Sequence, residues 1–146
     1  MKVDANKFMR DGFVVLKGVI PPERLGELRD SYEMLVERQK ALSVSEWESA
    51  SIPTVSVAGV VDRETANTVE FFLHEHTLGV SRQLLGVREV AVLLLQVLCN
   101  PVKDMGPGSW HRDLKPNYQA PLCGLQADIL ANGPTYVQWN IALYDD

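Results

Sequence analysis

The chain has 146 residues, 46% of them apolar, and a formal net charge of −5, which is length and apolar content enough for one packed domain. The acidic balance, with no basic cluster to relieve it, argues against a nucleic-acid partner. No run of about 18 apolar residues occurs, so no membrane-spanning helix is expected, and Met1-Lys2-Val3-Asp4 mixes charges where a secretory leader would be apolar.

Asp11-Gly12-Phe13 opens a short strand expected to run from Phe13 to Leu16 and to end at Gly18. Pro21-Pro22-Glu23 is a good helix start, because proline tolerates the first turn and glutamate suits its positive end. From there Leu25, Leu28, Tyr32, Leu35 and Val36 recur at helical spacing. Glu27, Arg29, Asp30, Glu33 and Glu37 fall on the opposite side, which predicts an amphipathic helix to about Ala41. Between Leu42 and Val61 the pattern weakens to loop, with a strand expected near Thr54–Val57.

A second helix is expected from about Thr65 to Leu78, with Val69, Phe72, Leu73 and His76 inward and Gly79 as its stop. His74 and His76 then sit on nearly opposite sides of it, so they cannot chelate one ion together. A helical turn, Ser81 to Leu85, ends at Gly86. The apolar run Val90–Leu98 reads as a strand covered on both faces, with Asn100-Pro101 after it. Gln96 is its one polar residue and shares a face with Val92, Leu94 and Leu98, so its amide is expected to be buried and bonded. Gly106-Pro107-Gly108 marks a turn, and Ser109 to Asp113 re-enters extended structure. A polar loop with Pro116, Pro121 and Gly124 is expected before a last strand, Thr135 to Tyr144. Along that strand Val137, Trp139, Ile141 and Leu143 alternate inward. Cys99 and Cys123 lack metal-ligand spacing and are read as two buried, reduced thiols of a cytoplasmic protein.

The densest chemistry is in Trp110-His111-Arg112-Asp113. On an extended strand His111 and Asp113 project from one face. An imidazole and a carboxylate side by side are two of the three donors of the facial triad that holds non-haem Fe(II). The plainer alternative is a surface pair hydrogen-bonded at a strand end. A different reading follows from His111-Arg112-Asp113-Leu114-Lys115-Pro116-Asn117, which spells much of a protein-kinase catalytic loop. There the metal-holding asparagine belongs where Tyr118 stands, one place after Asn117, and neither Asp-Phe-Gly nor a Gly-rich phosphate loop is present. The kinase reading fails because that chemistry needs all its parts.

Taken together, Asp11–Ile20 followed by a helix, Leu84-Leu85-Gly86 leading into an apolar strand, Trp110–Asp113, and Val137–Asp146 resemble the phytanoyl-CoA dioxygenase family. The resemblance implies an Fe(II)- and 2-oxoglutarate-dependent oxygenase that hydroxylates an aliphatic carbon of a small organic or acyl substrate. The fold it implies is α+β: amino-terminal helices, about 1–88, packed on an incomplete double-stranded β-helix, about 89–146, in a single domain. His111 and Asp113 become the metal ligands, while Gln96 and Trp139 become contacts of the co-substrate pocket. Asp113 implies hydroxylation, since halogenating members of the superfamily leave the carboxylate position empty for chloride. No histidine lies between Leu114 and Asp146 and no arginine follows Arg112. The family's distal histidine and 2-oxoglutarate-binding arginine therefore have no counterparts, and the expectation is a chain cut short of its complete site. The alternative is a non-catalytic β-helix-like module or inactive fragment.

Overall fold

The computed structural model describes residues 1–107 and 121–144. Their elements are helices α1 (Ala5–Asp11), α2 (Pro22–Leu42), α3 (Val44–Ser49), α4 (Val57–Val60), α5 (Asn67–Glu70), α6 (Leu78–Leu85) and α7 (Leu122–Asn132), with strands β1 (Thr54–Ser56) and β2 (Gln96–Leu98). The protein is thus mixed helix and strand, and the described residues fall into two compact units.

One unit, residues 18–74, 91–107 and 143–144, is organised by α2. Pro22 and Glu23 start this helix as expected, and Lys40 complements the negative end of its dipole in the last turn. Its apolar stripe is the centre of the core: Leu28, Tyr32 and Leu35 pack with Trp47, Val55 and Val57. Arg29 departs from the outward side given it by spacing. It is half-buried, its guanidinium lies 4.8 Å over the Tyr144 ring, and its Nε donates to the Leu143 carbonyl. The Tyr144 hydroxyl in turn hydrogen-bonds the Glu33 carboxylate.

β1 forms where a strand is expected and pairs antiparallel with β2, Val55 opposite Val97. The strand expected over Val90–Leu98 shrinks to three residues, because β1 offers a partner to only three. Leu95, Val97 and Cys99 pack against the core, whereas Leu94 is 66% and Leu98 64% exposed. The sheet is therefore covered on one face, not two.

The helix expected over Thr65–Leu78 is broken. α5 passes into a 3₁₀ turn at Phe71–Leu73, and His74–Thr77 form a turn before α6 begins. Threonine, valine and paired phenylalanines are weak helix formers, and two buried threonines instead satisfy the backbone locally. Thr68 Oγ1 donates to the Thr65 carbonyl at 2.6 Å. His74 and His76 consequently stand in a turn rather than on a helix.

The second unit comprises residues 1–17, 75–90 and 121–142 of those described. Here α6 runs through Gly79 and ends at Gly86, whose φ of 67° places it in the left-handed region that favours glycine. Val80 and Leu84 of α6 are buried. α1, capped by Asp4 Oδ1 accepting from the Lys7 amide, packs on α6. The strand expected over Phe13–Leu16 is not formed among the described residues. The expected loop after Pro121 is α7 instead: Leu122, Leu125 and Ile129 form a half-buried stripe at helical spacing, and Gly133-Pro134 stops it. Thr135–Tyr144 keeps the expected alternation, Val137, Trp139 and Ile141 half-buried between exposed neighbours, without a ladder among the described residues. No helix among the described residues is long and apolar enough to cross a membrane.

Candidate functional site

His111 and Asp113 lie outside the described residues, as do Asn117 and Tyr118. Gln96 and Trp139, the two expected co-substrate contacts, are described.

Gln96 occupies the first position of β2 and is exposed, which corrects the expectation of a buried amide. The shared face with Leu94 and Leu98 is as the period-two pattern requires. That face, however, is the solvent side, because Val97 and its odd-numbered neighbours take the core side against α2. Trp139 is half-buried, and its indole Nε1 donates to Ser81 Oγ at 3.0 Å. Ser81 is itself buried in α6 and donates to the Thr77 carbonyl at 3.0 Å. This anchors the segment after α7 to α6 within one unit, and it leaves only the ring surface of Trp139 for other contacts. The strand expected around Trp139 is not formed among the described residues.

The two thiols differ from expectation in burial alone. Both are free, with Cys99 half-buried and Cys123 exposed on α7. Burial pushes the Cys99 thiol up, partly opposed by Lys40, which disfavours the nucleophilic thiolate.

Among the described residues no group of three or more His, Cys, Asp or Glu could hold a metal ion. A groove of about 480 Å³ is lined by Glu37, Lys40, Ala41, Val44, Trp47, Glu48 and Val102. It contains no histidine, and Lys40 Nζ pairs with the Glu37 carboxylate at 2.9 Å, so it is no metal site. His111 and Asp113, outside the described residues, are the metal ligands that the family resemblance implies. Their donor chemistry, one imidazole nitrogen and one carboxylate oxygen, fits Fe(II) for two of the three protein positions.

A family model described as phytanoyl-CoA dioxygenase (PhyH) matches residues 8–145. The chain belongs to the phytanoyl-CoA dioxygenase family. The match takes in the end of α1, all of α2 to α7, both strands and the His111-Arg112-Asp113 stretch. Searches of curated proteins and of solved structures returned no match. Family membership indicates oxygenase chemistry of the iron and 2-oxoglutarate type and a cupin-like fold. What sequence reasoning missed is structural support: Trp47, which seals the core beside α2, and Ser81, the partner of Trp139. Ser81 lies far from Trp139 in sequence, so nothing in either local pattern signals the pair.

Proposed function

We propose that this protein is part of an Fe(II)- and 2-oxoglutarate-dependent dioxygenase that hydroxylates an aliphatic carbon of a small organic or acyl substrate. The observation that carries the reading is the family match over residues 8–145, which includes a His-x-Asp stretch with the donors a facial triad needs. His111 and Asp113 are the residues to hold the metal. Bound there, the iron supplies the oxidising chemistry, using O₂ and 2-oxoglutarate. The chain's own part is to orient. His111 contributes a neutral imidazole, as metal binding requires; Asp113 contributes negative charge and, by filling its position, excludes halide. Trp139, whose indole N–H is taken by Ser81, can offer the face of its ring to a co-substrate.

A non-catalytic module is the second reading, favoured by one observation. Residues 114–146 contain no histidine and no arginine, so neither the third ligand nor a bidentate partner for 2-oxoglutarate comes from them. Metal binding separates the two. Anaerobic equilibrium dialysis of Fe(II) against the chain and against Asp113→Ala should show the substitution lowering affinity by at least the ~10–100-fold typical of disturbing a ligand's support. Equal affinity in both proteins removes Asp113 from the metal and, with it, the oxygenase reading of this stretch.

A further inference from the structure

Helix α7 ends on Asn132-Gly133, the one Asn-Gly pair in the sequence. Asparagine amides are chemically labile, and a glycine after one leaves the backbone nitrogen unshielded, because it has no Cβ. Here that nitrogen is engaged. The Gly133 N–H donates to the Ile129 carbonyl at 2.9 Å, with Gly133 at a φ of 84° that L side chains rarely adopt. The Asn132 side chain is tied back along the helix, its Nδ2 donating to Asp128 Oδ1 at 2.7 Å. Both bonds must break before the Gly133 nitrogen can attack the Asn132 Cγ. The hold is weak. No residue of α7 is buried among those described, and its last turn carries no basic side chain to offset the dipole. Leu130 in that turn is 74% exposed, so fraying of this end uncovers little new apolar surface.

We propose that Asn132-Gly133 is a self-modification site controlled by α7: silent while the helix end is capped, reactive when it frays, and unable to rebuild the end afterwards. In the frayed chain the Gly133 nitrogen gives its proton to solvent and attacks the Asn132 Cγ. The new N–C bond closes a succinimide ring as the Cγ–Nδ2 bond breaks, and Nδ2 takes up a proton and leaves as ammonia. Water then opens the ring at either carbonyl, giving aspartate or the isomer whose main chain runs through Cβ. Nothing is oxidised or reduced, and water is the sole co-reactant. Either product carries a carboxylate in place of the amide, which accepts but cannot donate to Asp128. Carboxylates at positions 128 and 132 stand one helical turn apart and repel, and both lie at the negative end of the dipole. The isomer also lengthens the main chain by a methylene, which spoils the spacing of the Ile129–Gly133 bond. The modified end therefore stays open, and the step runs one way. The inference does not depend on the oxygenase reading.

Peptide mapping by mass spectrometry of the 146-residue chain, aged at neutral pH in heavy-oxygen water, tests the site. The expected result is oxygen incorporation at Asn132, while Asn67 and Asn140, followed by the β-branched Thr68 and Ile141, stay unchanged over the same time. The chain unfolded in guanidinium chloride should react roughly tenfold faster or more, because the cap is gone. Asn132→Gln should abolish incorporation at this position. Hydrogen exchange reads the consequence. Asn132→Asp, which carries the product's charge, should lower protection of the Gly133 amide roughly threefold or more, and adding Asp128→Gln should restore it. Equal rates in folded and unfolded chain, or modification at Asn67 or Asn140 as fast as at Asn132, overturn the proposal. So does a Gly133 amide that is unprotected in the parent, or one fully protected in the Asn132→Asp chain.

Discussion

Two side chains in the α2 unit show how single residues tie distant segments together. The Tyr32 hydroxyl donates to the Thr68 carbonyl at 3.1 Å in the core, and burial pushes its phenol up to about 12. A raised value means that the folded state keeps a proton the unfolded chain gives up. The resulting stability is therefore whole below about pH 10 and is lost as pH rises through about 12. Tyr32→Phe should cost roughly 0.5–1.5 kcal/mol near neutrality, from the lost bond and the stranded carbonyl. Denaturant melts should also show a flatter alkaline limb for the variant. A variant as stable as the parent and equally alkali-sensitive would deny the bond its role. Asp62 works in the opposite direction. The Arg38 guanidinium, 2.9 Å from its carboxylate, with the Thr65 hydroxyl and amide, holds it down at about 2. Stability from this pair is present above the ordinary carboxylate value of about 4 and lost as pH falls through about 2. Asp62→Asn should flatten acid unfolding in that window. Because the carboxylate is exposed, salt should shrink the difference between the two proteins, which melts at low and high ionic strength measure. Sequence spacing put Tyr32 inward, but neither Thr68 nor Arg38 could be assigned as a partner from it, since both bonds span turns of the chain.

Among the elements, α2 was the most legible, because its apolar stripe, its proline start and its acidic outer side all agree. Leu35, fully buried at its centre, should be the position least tolerant of truncation. Leu35→Ala is expected to cost about 2–5 kcal/mol, whereas its exposed neighbour Met34 changed to alanine should stay within about 0.5 kcal/mol. Chemical denaturation of the two variants checks this; equal losses would mean that the core is not centred on this stripe. The helix over Thr65–Leu78 and the missed α7 are two errors of one kind. In the first, apolar spacing outweighed a run of weak helix formers. In the second, Pro121 and Gly124 concealed the spacing of Leu122, Leu125 and Ile129, although Gly133-Pro134 was a stop signal in plain view.

For the whole molecule, the expected behaviour of the 146-residue chain is absence of turnover. Residues 114–146 offer no imidazole to complete a triad and no guanidinium to pair with the distal carboxylate of 2-oxoglutarate. Succinate formation with excess Fe(II) and 2-oxoglutarate should not exceed a metal-only blank. Turnover well above that blank would require a third ligand from elsewhere in the chain, and the oxygenase assignment would have to be redrawn around it.

The sequence by itself determined the long helix, the parity that separates Leu95 and Val97 from Leu94 and Gln96, the alternation along 137–143, and the His-x-Asp stretch that marks the family. These are local properties: side-chain period and residue chemistry are set by the chain whatever it packs against. Tertiary structure decided what each side faces. A strand exists only where another lends it hydrogen bonds, so the run from Val90 contracts to the three residues that β1 can pair. Gln96 turns to solvent because the core formed on the other face of β2. Trp139 finds its partner in Ser81 only after α6 and the segment beyond α7 have come together.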